Sequence, residues 1–158
     1  LRNVIWTTKP TANIRRVYFY GHHNEDPKQL FQSSLSINRV LEDPPGDNPI
    51  ILCYKLNGQW LSGRRGGPVR MLAPDAYGFK SVKWLKSVVL TNNHQANDTY
   101  AKGNNDIDSP MKSMARFIYK PLKEKAGTPI AITGLAHVGI SGLSRVQVWI
   151  NPQDKKWP

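Results

Sequence analysis

Apolar positions along this chain come in short runs, each cut off by proline, glycine or asparagine. The run Ile14–Tyr20, with Val17, Tyr18, Phe19 and Tyr20, is β-branched and aromatic and predicts a strand. His22–Gln29 reads as a polar loop. Ser33–Leu41 is short and ambiguous, with room for one or two helical turns before the breaker Asp43-Pro44-Pro45-Gly46-Asp47. Ile50–Leu56 predicts a second strand. Asn57-Gly58 follows it, the dipeptide favoured where a tight hairpin needs positive φ, and Gln59-Trp60-Leu61 begins the return. Ser62–Pro68 is a basic glycine loop, and Val69–Ala73 a short strand closed by Pro74. Ser81–Leu90 mixes β-branched and basic residues, which predicts a turn and then a strand over Ser87–Thr91.

The stretch Asn92–Pro110 is polar and carries Asn92, Asn93, Asn97, Asn104 and Asn105, so it reads as a linker. Beyond it, Pro129–Ala136 and Arg145–Asn151 predict two strands joined by a turn containing Gly139 and Gly142. That is the texture of a small β-sandwich. The 12 prolines and 12 glycines weigh against long helices. The expected class is α+β and β-rich.

At 158 residues the chain suits one domain, or one domain with part of another. Lys and Arg total 22 against 11 Asp and Glu, a net charge of +11 at pH 7, which favours an anionic partner. Nucleic acid, an anionic surface and a phosphate-bearing ligand all satisfy that charge. One cysteine, Cys53, excludes an internal disulfide framework and any Cys-rich metal site, and its place mid-strand predicts a buried, inert thiol. No apolar run approaches the roughly 18–20 residues of a membrane span. Leu1-Arg2-Asn3-Val4-Ile5-Trp6 has neither an initiator Met nor a leader pattern and reads as an interior segment, so a fragment is expected.

The segment richest in chemistry is Gly63-Arg64-Arg65-Gly66-Gly67-Pro68-Val69-Arg70. Glycines let a backbone come close to a ligand and aim N–H groups at it, while a guanidinium grips phosphate oxygens in pairs. Further on, Lys80-Ser81-Val82-Lys83 adds two ammonium groups and a hydroxyl, and together these segments can form one anion pocket. The plainer reading is a solvated basic hairpin tip. The Gly-Lys-Ser/Thr ending of a P-loop and the Gly-x-Gly-x-x-Gly dinucleotide fingerprint are both absent. His22, His23, His94 and His137 show no metal-ligand spacing, and no serine stands in a nucleophile context. Trp6, Trp60, Trp84, Trp149 and Trp157 are scattered, without the platform that base stacking uses. Most are expected in the core, and nucleic acid is disfavoured.

The blocks Asn57-Gly58-Gln59-Trp60-Leu61, Arg65-Gly66-Gly67-Pro68-Val69-Arg70-Met71-Leu72-Ala73-Pro74 and Tyr77-Gly78-Phe79-Lys80-Ser81-Val82-Lys83-Trp84-Leu85 resemble the sulfite oxidase family of molybdopterin oxidoreductases. That family shows Asn-Gly, then His-Gly-x-Pro-x-Arg, a proline-closed strand and Val-Lys-Trp-Leu. The tail, with Ser109-Pro110-Met111-Lys112-Ser113, Gly134-Leu135-Ala136 and Gly142–Val148, looks like the opening of the family's Ig-like dimerisation domain. The resemblance therefore implies residues 1–93 as the C-terminal part of a molybdenum-cofactor domain, 94–108 as linker and 109–158 as a truncated Ig-like unit.

It further implies molybdenum–molybdopterin as cofactor, its phosphate held near Arg70 and Ser81-Val82-Lys83, with Arg65 and His23 close by. Tyr100 falls near the family's active-site tyrosine, where a phenol donates a hydrogen bond to an oxyanion or oxo ligand. The implied partners are a small anionic or sulfur-containing substrate, an electron acceptor (a haem protein or another), and a second copy in a homodimer. Export, hence an extracytoplasmic setting, is common among bacterial members. The chain departs from the pattern in three places. Arg65 replaces the family's His or Asn, His23 stands where Asp or Thr is usual, and Ser141 stands about where a sulfite-binding Arg is carried. The family's molybdenum-ligating Cys precedes the segment that Leu1 begins, and Cys53 lies in the wrong strand to replace it. By this resemblance the chain alone is inactive, and the rival class is a non-catalytic basic β-module that binds phosphate or nucleic acid.

Overall fold

The computed structural model describes residues 1–23, 25, 26, 28, 30–42, 48–100, 107–139 and 141–148. The chain divides into two units, Leu1–Met111 and Lys112–Pro158. The first holds α1 (Arg2–Thr7), β1 (Arg16–Gly21), β2 (Phe31–Ser36), α2 (Ile37–Leu41), β3 (Ile51–Cys53), β4 (Lys55–Leu56), β5 (Gln59–Trp60), β6 (Arg70–Leu72) and β7 (Leu85–Thr91). The second holds β8 (Met114–Tyr119) and β9 (Thr133–His137). The described residues are β-rich, with short helices only.

The principal sheet has the order β2-β1-β7, antiparallel on both sides of β1. Alternation along β1 sends Val17 and Phe19 wholly into the core and leaves Tyr18 and Tyr20 half-buried on the opposite face. Ile5, Leu35, Val40, Ile50, Met71, Ala73 and Val82 complete that core. Burying each of the larger side chains is worth about 1.5–3 kcal/mol, so this cluster is what holds β1, β6 and the Val82 turn together. The small pairs β3–β6 and β4–β5 are antiparallel as well.

The hairpin turn forms as its dipeptide predicts, with Asn57 at φ 52° and Gly58 at φ 79°. Other expectations need correction. The single strand expected over Ile50–Leu56 breaks at Tyr54, because β3 pairs with β6 while β4 turns back on β5. Ser33–Leu41 is half strand and half helix: Ser33 and Ser34 are fully buried in β2, and Ser36 caps α2 by accepting from the Arg39 amide at 3.3 Å. Cys53 is half-buried, not sealed in the core. Its register opposite Arg70 puts it on the face away from buried Met71, and its thiol donates to the Lys55 carbonyl at 3.2 Å. Of the described tryptophans, Trp6 and Trp60 are exposed and Trp84 half-buried, so none is core.

The described part of 94–108 is bonded into the first unit. The Thr99 amide donates to the Gln32 carbonyl at 2.9 Å, and Asp108 accepts from the Ser36 amide and hydroxyl at 2.8 and 2.7 Å. In the second unit β9 pairs with β8, and residues 145–148, the described part of the expected second strand, carry no strand. Met-Ala-Arg-Phe-Ile-Tyr in β8 has strand-forming residues, but all of its side chains are exposed. The breaker 43–47, Trp149, Trp157 and the end of the Arg145–Asn151 segment lie outside the described residues. Among those residues no helix is long and apolar enough to cross a membrane.

Candidate functional site

Gly63–Arg65 makes one 3₁₀ turn, which Gly66 ends at φ 98°. The amides of Arg65 and Gly67 donate to the Ser62 carbonyl at 3.0 Å each, and that of Gly66 to Gly63 at 2.9 Å. The loop therefore spends these N–H groups on itself. It offers an anion the side chains of Arg64 and Arg65, both exposed, and not the backbone cradle that its glycines suggest.

The glycines serve a different contact. A Cβ on Gly66 would meet Lys83, one on Gly67 the Leu61 carbonyl, and one on Gly21 the Lys83 carbonyl and Val82. Val82 and Lys83 thus pass between Gly21 and Gly66 at backbone distance. Hydrogen bonds fasten the same passage: Trp84 N–H to the Gly66 carbonyl at 3.0 Å, His22 N–H to Trp84 at 2.9 Å, and Leu85 N–H to Val69 at 2.9 Å. The Trp84 indole donates to Gly63 at 2.7 Å, and Lys83 Nζ donates to the Arg64 carbonyl at 3.3 Å while lying 5.3 Å from the Trp84 ring centre.

The antiparallel bridge Met71–Val82 sets Arg70 and Lys83 opposite each other, one residue on from the paired positions. Arg70 is half-buried, and its Nε is buried with no hydrogen-bond partner among the described residues. A desolvated guanidinium donor left unmatched costs about 1–3 kcal/mol, so this one calls for an acceptor beyond the described residues. The rest of the Ser81-Val82-Lys83 triplet is already committed. Ser81 Oγ accepts from the Ala73 amide at 3.1 Å, and Val82 is a core side chain whose amide and carbonyl both bond Met71 at 2.9 Å.

Lys80 does not join this basic group. Its ammonium is wholly buried and donates to the Ser34 carbonyl at 2.8 Å, Asp98 Oδ2 at 2.8 Å and the Ile107 carbonyl at 2.7 Å. Asp98 Oδ1 accepts from the Ser33 hydroxyl at 2.9 Å and the Ser34 amide at 2.8 Å. Arg16, also buried, donates to Ser34 Oγ and to the His94 carbonyl, both at 3.0 Å. Burial pulls the Arg16 guanidinium below its ordinary value, opposed by Asp108 and then by Asp98 and Tyr18.

Rings connect the remaining site residues. His23 is exposed, with its ring centre 6.1 Å from that of Trp84 and 6.3 Å from that of Phe31. Phe31 lies 5.7 Å from Tyr100, which is 72% exposed. His23, Lys83 and Tyr100 are thereby gathered along one row, Lys83–Trp84–His23–Phe31–Tyr100. Arg65 stands at the exposed loop, and Ser141 is an exposed residue of the second unit. Phe31 and Asp98 carry no motif of their own, and sequence reasoning missed both. Among the described residues no group of His, Cys, Asp or Glu is arranged to hold a metal ion. The anionic end of a phosphate-bearing cofactor fits the cations present: Arg70, with an unmatched buried donor, and Lys83, each next to the Met71–Val82 bridge.

A family model described as "Oxidoreductase molybdopterin binding domain" matches residues 1–99. The chain is 36% identical over 89 residues to the inducible nitrate reductase [NADH] 2 of Glycine max, covering 54% of this chain and 10% of that protein. It is 33% identical over 91 residues to the nitrate reductase [NADPH] of Leptosphaeria maculans, covering 58% and 10%. Against the nitrate reductase [NADH] of Volvox carteri it is 29% identical over 119 residues, covering 71% and 13%. The chain thus spans about a tenth of the length of the curated relatives that it matches. None of these relatives lends support to a non-catalytic module binding phosphate or nucleic acid.

Proposed function

This chain belongs to the oxidoreductase molybdopterin-binding domain family, and from that premise we propose that its basic loop holds the phosphate end of molybdenum–molybdopterin in a parent oxidoreductase that acts on a small anion. The observation that carries this reading is the buried, unpartnered Nε of Arg70 opposite Lys83. Charge-assisted hydrogen bonds to phosphate are worth roughly 1.5–3 kcal/mol each, enough for two cations to decide cofactor retention. Arg65 reaches the same anion from the exposed side of the loop. When bound, the cofactor supplies two-electron, oxygen-atom-type redox chemistry.

The chain's own part is binding and orientation. Arg70 and Lys83 neutralise the phosphate, and His23 and Trp84 wall the row beside them. Tyr100, exposed at its end, donates its phenolic hydrogen bond to the incoming anion. Ser141 supplies no cation, and the relatives are named for nitrate, so the substrate class is a small oxyanion without a requirement for sulfite. Electrons pass to or from an electron acceptor, a haem protein or another.

We assign the second unit to the opening of an Ig-like dimerisation domain, a reading supported by the antiparallel β8–β9 pair. Sedimentation of the parent protein with and without the residues after Met111 tests this; an unchanged mass removes the assignment.

Cofactor retention is tested in the full-length protein by Arg70→Ala and Lys83→Ala, made separately, with molybdenum and pterin measured per folded protein. Both are expected to lose cofactor. Wild-type content in both overturns the proposal, and a loss that tracks a lowered melting temperature of the cofactor-free protein assigns these residues to folding instead.

A further inference from the structure

We propose that Asp98, neutralised by the buried Lys80, is a positioning residue that locks the segment 97–100 in register on β2 and so sets Tyr100 against Phe31. The inference rests on the assignment of Tyr100 to the anion's side of the site, and it deepens that assignment.

Three observations converge on one segment. Asp98 is met by donors at both oxygens, two from β2 and one from Lys80, and only 5% of it is exposed. Next to it, Thr99 and Gln32 bond reciprocally: the Thr99 amide donates to the Gln32 carbonyl, and the Gln32 amide to Thr99 Oγ1, both at 2.9 Å. One residue further, the Tyr100 ring meets Phe31, the first residue of β2. Residues 98, 99 and 100 therefore engage β2 at 33–34, 32 and 31 in turn, as an added strand would.

The chemistry of the lock is specific. The ammonium of Lys80 has three hydrogens and three oxygen acceptors, so none is left over. A buried ion pair gains little net stability over an apolar pair of the same size, since desolvation of both charges offsets their attraction. What it gains is uniqueness, because no other residue of 94–100 carries a carboxylate to satisfy Lys80. Sliding the segment by one residue would strand an ammonium in the core. An asparagine cannot substitute, since its amide N–H₂ would face either Lys80 or the donors of Ser33 and Ser34.

The test uses the full-length holoprotein and three variants: Asp98→Asn, the apolar pair Lys80→Met with Asp98→Leu, and Tyr100→Phe. Amide hydrogen exchange reads the register directly. In the double variant, Thr99 and Gln32 amides are expected to exchange at least about tenfold faster while amides of β1 keep their protection. Its turnover with nitrate as probe should fall to that of Tyr100→Phe, with kcat lowered more than KM. Asp98→Asn should show the same local exchange gain, and restoring Asp98 alone to the double variant should not repair it. A double variant that folds with unchanged Thr99 exchange overturns the proposal, whatever its turnover. Tyr100→Phe with wild-type turnover overturns only the role of Tyr100 in the reaction, and the exchange result still decides the positioning.

Discussion

Gly66 lays its bare α-carbon against Lys83: a Cβ there would stand 2.7 Å from Lys83 Cγ and 2.8 Å from its Cβ. With Gly21 pressed on the other side of Val82 and Lys83, two residues without side chains fix where a cation projects. The loop glycines act by letting two backbones touch, and the amides that they free are used within the loop.

Gly66→Ala should therefore displace Lys83 and strain a backbone at φ 98°. The expected loss is about 1–3 kcal/mol of stability, together with reduced molybdopterin content. Gly63→Ala, three residues earlier in open space, is the control and should stay within about 0.5 kcal/mol of wild type. Urea unfolding and cofactor analysis of both variants check this, and equal behaviour of the two would refute it.

Ser36 both caps α2 and donates to Asp108. Ser36→Ala is expected to cost about 1–2 kcal/mol from the cap and the lost carboxylate bond. Ser36→Thr should keep most of it. Chemical denaturation of the pair, with Asp108→Ala in a double-mutant cycle, separates the two contributions; additive losses would show that the hydroxyl does not couple them.

The Tyr18 phenol is raised above its ordinary 10.0, first by burial, with Arg16 opposing and Tyr20 and Asp98 reinforcing. In the unfolded chain it ionises first, so above pH 10.0 the native state holds more protons and stability falls as pH rises. Ionisation also removes the hydrogen bond that Tyr18 donates to the Gln95 carbonyl at 2.9 Å. Tyr18→Phe should lose about 0.5–1.5 kcal/mol at neutral pH and show a shallower alkaline decline than wild type. Unfolding curves at a neutral and an alkaline pH measure both, and parallel declines would count against it.

Much of the first unit is legible because its signals are local. Val17 and Phe19 alternate with Tyr18 and Tyr20, Asn57-Gly58 supplies two positive φ values, and the blocks around Arg70 and Lys83 carry the family's pattern. What escaped detection depends on partners far along the chain. Ser33 and Ser34 have no strand pattern, and their burial is made tolerable by Asp98, 65 and 64 residues away. Lys80 resembles its neighbour Lys83 in sequence, yet one is wholly buried and the other is not, because Lys80 meets a carboxylate and Lys83, among the described residues, does not. Asparagine-rich composition disguised the segment that supplies it. The thiol of Cys53 was misplaced for a smaller reason: a one-residue alternation turns it outward beside Arg70 while Leu52 and Met71 turn inward.

The span of the Lys80–Asp98 lock also prescribes an order of assembly. Its acceptors come from β2, from Asp98 and from Ile107, and an ammonium cannot shed its water until all three are in place. Hairpin-like pairing of β1 with β2 closes a short loop, whereas joining β7 to β1 closes a much longer one at an entropic cost, after which residues 97–100 lie only a short stretch beyond β7. Through that one ammonium, β2 is tied to two points of the chain beyond β7, and loss of any one of the three acceptors leaves a buried cation short of a partner.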